Sequence, residues 1–408
     1  MRTYPEYKDS GVEWIGEIPR GWEFKSTKFH FLYKKGSQGQ MLTSTFLGEN
    51  PGDYPVYSGQ TENKGVLGTW SEYEFDYPNG VIFVTTVGAK SMTNRLVRGK
   101  FSLSQNCLIL IPRDDQIDPS SINYFLHYDF LYRKELLPRI LQPSLRMEDI
   151  DQYKILVPPL SEQKQISDYL DQKTQQIDDL IEKTEQKIEL LEEQRSSLIN
   201  QCVTKGLDPN VEMKDSGVEW IGDIPKEWDL KKVKYLGDIK SGDGITNTEL
   251  SDDGEIPVYG GNGIVGYYDE FNSSHTVIVI GRVGEKCGNI HLVYEKCWIS
   301  DNSLILTLRD DTNYPWVSIC LNSRDLNKIR NQSSQPLITS TQVKNESIPF
   351  PSENQRKQIS DYLDKETSKI DQIVDIETKR IDLLKEYRQS LISNVVTGKI
   401  DVRDEVVQ

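Results

Sequence analysis

K-Q-I-S-D-Y-L-D at Lys164–Asp171 returns letter for letter at Lys357–Asp364. Behind each copy an apolar residue recurs every three or four positions, out to Arg195, Leu198 and Ile199 in the first and Arg388, Leu391 and Ile392 in the second. That period is helical, and it persists long enough to predict two helices of about 60 Å each.

The first seam runs through Leu170, Ile177, Ile181, Ile188, Leu191 and Leu198, the second through Leu363, Ile370, Val374, Ile381, Leu384 and Leu391. Polar residues interrupt both at matched places: Ser167, Thr174, Thr184 and Arg195 against Ser360, Thr367, Glu377 and Arg388. Apolar residues held at a spacing of about 3.5 between charged flanks predict a coiled-coil pair. The competing arrangement packs each helix on its own neighbouring domain.

Working outward, K-D-S-G-V-E-W-I-G at Lys8–Gly16 recurs unchanged at Lys214–Gly222. The chain is therefore duplicated, with a unit of about 200 residues, too long for a solenoid repeat. Inside each unit the likeness fades. Tyr54-Pro55-Val56-Tyr57 answers Ile256-Pro257-Val258-Tyr259, Val81–Gly88 answers Val277–Gly284, and Cys107–Leu110 answers Ser303–Leu306. These β-branched runs bounded by Gly, Asn and Pro predict strands. Gln142-Pro143 and Gln335-Pro336 come next, then a short extended stretch before each helix. The expected organisation is α+β: a globular domain at 1–159, a spacer helix at 160–205, a second globular domain at 206–351 and a second spacer helix at 352–408. Flanks that match around heads that differ predict one frame carrying two readers.

A chain of 408 residues with 36% hydrophobic content supports that many cores. No apolar run is long enough to cross a membrane and the first residues lack a signal-peptide core, so a cytoplasmic location is expected. Five cysteines without paired spacing agree with a reducing compartment and argue against structural zinc. The net charge of -15 is unevenly spread. Basic and acidic residues nearly balance in the first domain, and basic clusters recur in both heads, so local phosphate binding remains compatible with an acidic total.

Catalytic patterns are lacking. There is no phosphate loop, no methyltransferase Asn/Asp-Pro-Pro-Tyr/Phe loop, and His30, His127, His275 and His291 show no metal-ligand spacing. Acidic-x-Lys triplets such as Asp171-Gln172-Lys173 fall on the helices, where a solvated face explains them. A non-catalytic chain without metal or cofactor is expected.

S-G-V-E-W-I-G-x-I-P-x-x-W at the head of each unit, Gln-Pro near each domain end, Pro158-Pro159-Leu160-Ser161-Glu162-Gln163-Lys164-Gln165-Ile166 at the helix entry and Thr204-Lys205-Gly206-Leu207-Asp208 at its exit together resemble the specificity subunit of a type I restriction-modification enzyme. The second entry departs, reading Pro351-Ser352-Glu353-Asn354-Gln355-Arg356-Lys357-Gln358. The resemblance implies two target recognition domains of mixed α/β build with antiparallel strands, related by a pseudo-twofold repeat and separated by antiparallel helices. Each domain would read one half of a gapped double-stranded DNA target while the helices set the gap. It further implies two adenine methyltransferase subunits as partners, which hold the S-adenosylmethionine, and motor-nuclease restriction subunits.

Base-edge and phosphate contacts call for Arg, Lys, Asn, Gln, Ser and Thr in the divergent loops. In the first head these are Lys34, Lys35, Ser58, Gln60, Lys64, Lys90, Arg95, Gln142 and Arg146. In the second they are Lys240, Asn262, Arg282, Lys286, Asn289, Gln335 and Thr339. A duplicated scaffold or adhesion protein that binds protein or glycan is the alternative from another class, and a specificity subunit of another restriction type is a third.

Overall fold

A computed structural model describes residues 2–60, 63–88, 90–136, 144–331 and 336–405. The two periodic stretches are helices, Leu160–Lys205 and Glu353–Val396. The second begins behind Ser352, whose backbone N–H donates to Gln355 Oε1 at 3.3 Å while Gln355 N–H donates back to Ser352 Oγ at 3.4 Å. This reciprocal cap accounts for the altered entry sequence.

Contacts divide the chain into two compact units, Met1–Thr184 with Lys379–Gln408, and Glu185–Thr378. Each unit therefore holds one head, one half of the central helix and the opposite half of the C-terminal helix, an antiparallel partnership. In the first unit Arg388 Nε meets Asp178 Oδ1 at 2.9 Å. In the second, Lys187 Nζ meets Glu377 Oε1 at 2.5 Å and Arg195 Nε meets Asp371 Oδ1 at 2.9 Å.

All the seam residues named from the sequence are buried or half-buried: Leu170, Ile177, Leu363, Ile370, Ile381 and Leu391 are buried, the others half-buried. The helix ends also belong to the head cores. Ile166, Leu170 and Ile177 join Trp22, Phe31, Ile82 and Phe125 in one cluster with Leu391, Ile392 and Val395. Val203, Ile359 and Leu363 join Trp228, Ile278 and Trp316 in the other. Helix pairing and helix-on-head packing thus coexist, because each terminal stretch carries apolar side chains beyond the seam itself.

The repeated K-D-S-G-V-E-W-I-G motif is a small antiparallel hairpin in both copies, Tyr7–Asp9 with Glu17–Pro19 and Met213–Asp215 with Asp223–Pro225. Its closing glycines, Gly16 and Gly222, sit at φ of 73° and 66°, where a side chain would strain the turn. The head then closes on itself: Glu23–Ser26 pairs with Lys154–Val157, and Asp229–Lys232 with Ser347–Phe350.

Between these closures the first head folds a six-stranded sheet in the order Phe31–Lys35, Cys107–Pro112, Phe75–Thr85, Asn94–Leu103, Tyr54–Tyr57, Val66–Trp70. All its pairings are antiparallel except Tyr54–Tyr57 with Asn94–Leu103. In the second head the counterpart of Asn94–Leu103 is broken into Ile290–Val293 and Trp298–Ile299. The sheet accordingly splits into a four-stranded and a three-stranded piece.

Among the described residues no helix is long and apolar enough to cross a membrane, and no group of three or more His, Cys, Asp or Glu side chains is placed to hold a metal ion. All five cysteines are free and buried. Burial pushes the Cys107 and Cys297 thiols up to about 11, which keeps them protonated and unreactive.

Candidate nucleic-acid interface

At one edge of each sheet the loops between strands are tied together by backbone hydrogen bonds. In the first head Ser104 N donates to Tyr57 O at 2.9 Å, Thr86 N to Asn106 O at 2.8 Å and Leu145 N to Thr86 O at 2.7 Å. In the second head Ser300 N donates to Tyr259 O, Arg282 N to Asn302 O and Ile338 N to Arg282 O, each at 2.9 Å. The wiring is the same and the side chains mounted on it differ.

Lys34 and Lys240 occupy one register. Lys34 stands opposite Ile109 and Lys240 opposite Ile305, in strands that pair in the same order in the two heads. Both side chains are exposed, and Lys34 Nζ lies 3.4 Å from the Tyr77 hydroxyl. Lys35 is exposed as well; Ser241 takes its place in the second head and accepts from Arg282 Nη1 at 3.3 Å. Lys64 is exposed in a left-handed turn at φ 50°. Lys90 is exposed in the loop between Phe75–Thr85 and Asn94–Leu103.

Four of the named residues are taken up by the fold. Arg95 is half-buried, its guanidinium donating to Gln60 O at 3.1 Å and to Lys64 O. Burial works against its charge, which the Phe83 ring face at 5.3 Å offsets. Arg95 therefore holds the backbone at Gln60 and Lys64 instead of projecting its donors outward. Gln60 donates its side-chain amide to Val66 O. Ser58 is 7% exposed, and its hydroxyl accepts from Gln60 N at 3.3 Å. The Thr339 hydroxyl caps the helix Ser340–Asn345 by accepting from Gln342 N at 3.3 Å. In each case the sequence shows a donor or acceptor but not the backbone group that consumes it.

Arg146, at the position matching Thr339, precedes the helix Met147–Gln152. Its backbone N–H is satisfied by Asp149 Oδ2 at 2.9 Å and its side chain is exposed. In the second head Asn289 Nδ2 donates to Asn262 Oδ1 at 2.6 Å, bringing two named residues from separate loops together. Lys286 is exposed beside them and Arg282 is half-buried at the end of Val277–Gly281. Gln142 and Gln335 lie outside the described residues.

Sequence reasoning passed over two features. His291 stands in the register of Arg95: it faces Val279 as Arg95 faces Phe83. Burial lowers its proton affinity, and among the described residues Nε2 has no hydrogen-bond partner. Ile264 and Val265, on the edge strand Gly263–Tyr268, are 51% and 52% exposed. The sequence carried no signal for this exposure, since the consecutive β-branched residues Val277, Ile278, Val279 and Ile280 of the strand Val277–Gly281 are all fully buried between two cores.

A model of the type I restriction modification DNA specificity domain matches the chain twice, over residues 21–190 and 225–386. The chain belongs to this family. The two matches cover the two heads and most of both helices. Among relatives of this specificity-domain chain, a putative type I specificity subunit of Mycoplasma pneumoniae is 31% identical over 137 residues, 33% of this chain and 43% of the relative. The chain spans about half the length of the Mycoplasma relatives it matches. The specificity subunit of the MjaVIII type I restriction enzyme of Methanocaldococcus jannaschii is 22% identical across 95% of both chains. A structure solved in work on assembly and conformational transition of the type I restriction-modification system has a TM-score of 0.70 at 15% identity, covering 94% of this chain and 99% of that one. The HsdS subunit of Thermoanaerobacter tengcongensis has a TM-score of 0.51 at 14% identity, covering 94% and 98%. These likenesses show that the specificity-domain fold extends over both repeats.

Proposed function

We propose that each head reads one half of a gapped, bipartite double-stranded DNA target, and that the antiparallel helices set the separation between the halves. The observation that carries this reading is the loop edge: identical backbone wiring in both heads, mounting different side chains at matched positions. Exposed Lys34, Lys35, Lys64, Lys90 and Lys240 suit phosphates. Arg146, Asn262, Asn289 and Lys286 suit base edges, and the apolar pair Ile264 and Val265 suits a thymine methyl group. Catalysis falls to partners: two adenine methyltransferase subunits holding S-adenosylmethionine act on an adenine flipped from each half-site, and restriction subunits add cleavage. The chain binds no cofactor itself and works in the cytoplasm. The domain plan is heads at 1–159 and 206–351, with spacer helices at 160–205 and 352–408.

The test is the adenine-methylation profile of a methylation-free host that expresses this chain with its cognate modification subunit. A gapped motif with two unlike halves, methylated on both strands, is the expected result. An uninterrupted palindrome would overturn the spaced-pair reading.

A further inference from the structure

We propose that a slot over Trp228 in the second unit is a docking site for a tyrosine side chain carried on an extended segment of a partner protein. The first unit contains the filled version of this slot. There Tyr4, 6% exposed, packs edge-on against Trp22 with ring centroids 5.6 Å apart. Its hydroxyl donates to Glu162 Oε2 at 3.1 Å, to which Trp22 Nε1 also donates at 2.9 Å. The Arg403 guanidinium lies over the Tyr4 ring, 4.7 Å from its centre. Two chain ends build this plug: the segment before the first hairpin brings the phenol, and the segment after the C-terminal helix brings the cation.

The second unit repeats the walls without the plug. Trp228 and Gln355 hold the positions of Trp22 and Glu162, and with Gly206, Leu207, Val211 and Ile359 they line a cavity of about 350 Å³. One continuous connection, residues 206–212, does here what two chain ends do in the first unit, and it sets Asn210 where the repeat has Tyr4. This connection leaves Trp228 only 2% exposed at the floor of the cavity, while Leu207 and Val211 stay 45% and 36% exposed at the rim. Gln355 Oε1 is occupied by the Ser352 backbone and hydroxyl at 3.3 and 3.0 Å. Its Nε2 hydrogens are left to donate to an incoming phenol oxygen. The rim itself is kept: the Lys226–Glu212 ion pair at 2.8 Å matches Arg20–Glu6 at 2.7 Å. An aromatic side chain entering a preformed pocket is the usual anchor of a protein interface. The phenol in the first unit arrives on an extended segment, which argues for a protein occupant over a free aromatic molecule. This inference does not rest on the DNA-reading proposal.

The test titrates the full-length chain with a labelled peptide of the sequence Arg2–Tyr7, R-T-Y-P-E-Y, the segment that fills the first unit's slot. Saturable binding below about 1 mM is expected. It should weaken about three- to tenfold when the peptide carries Tyr4→Phe, the loss of one hydrogen bond, and vanish with Tyr4→Ala. Val211→Trp, which fills the slot of the second unit alone, should abolish binding. Leu207→Trp, also on the rim, repeats the block should Val211→Trp lower the melting temperature. N-acetyltyrosinamide should compete at least about tenfold more weakly than the peptide. Absence of saturation at several times that concentration, binding untouched by both rim variants, or equal competition by N-acetyltyrosinamide would each overturn the proposal.

Discussion

Lys34 and Lys240 share a register, are both exposed, and lie on strands whose neighbours match in the two heads. A lysine is a point charge suited to phosphate, so each should contribute to DNA binding regardless of sequence. Lys34→Ala or Lys240→Ala is expected to weaken binding alike on all targets and to reduce the slope of log K against log salt by about 1. Binding isotherms over a salt series check this, and a change in sequence preference instead would make the residue a base reader. Residue type alone pointed to these lysines. It pointed equally to Arg95 and Thr339, whose polar groups serve a loop and a helix cap. What separates the two cases is the identity of the nearest backbone carbonyl or N–H, and that depends on contacts distant in the chain.

The long helices were legible because a heptad pattern needs no tertiary information: the seam positions recur at a fixed period and bury together. Glu377 is the exception within the seam. Its carboxylate is 9% exposed and pairs with Lys187 at 2.5 Å. A charge at such a position defines register at a cost in stability, since desolvation offsets much of the attraction. Replacing both partners, Glu377→Leu with Lys187→Met, is expected to stabilise the chain by about 1 to 3 kcal/mol, read as a higher urea midpoint. A lower midpoint would mean that the ion pair contributes more than its desolvation costs.

Half-buried histidines give the fold a pH dependence with a definite sign. Burial first, and then Arg388 and Lys134, lower the proton affinity of His127; burial lowers that of His291; burial and Lys25 lower that of His30. The unfolded chain takes up these protons near the ordinary histidine value of about 6.5, while the folded chain holds them off. Stability from the neutral imidazoles is therefore present above that value and lost as pH falls through it. Buried Asp129, whose proton affinity burial raises, works in the opposite sense. The diagnostic is the difference between the parent chain and His127→Gln. The parent's urea midpoint should drop more steeply between pH 7.5 and pH 5.5, and parallel curves would remove His127 from the account.

Duplication, the two helices and the succession of strands were determined by the sequence itself, because period, turn residues and exact repeats are local properties. The match between Lys8–Gly16 and Lys214–Gly222 was readable too, although its role as a glycine-closed hairpin under each head was not. Tertiary structure alone decided the rest. It decided that the helix ends are core as well as seam, since Ile166 and Ile359 meet side chains far away in the chain. It decided that one sheet stays continuous where the other splits, and that Arg95 and His291 share a register. It also decided that Tyr4 closes a slot which the second unit leaves open. These outcomes depend on which distant groups come into contact, and a linear pattern carries no record of that.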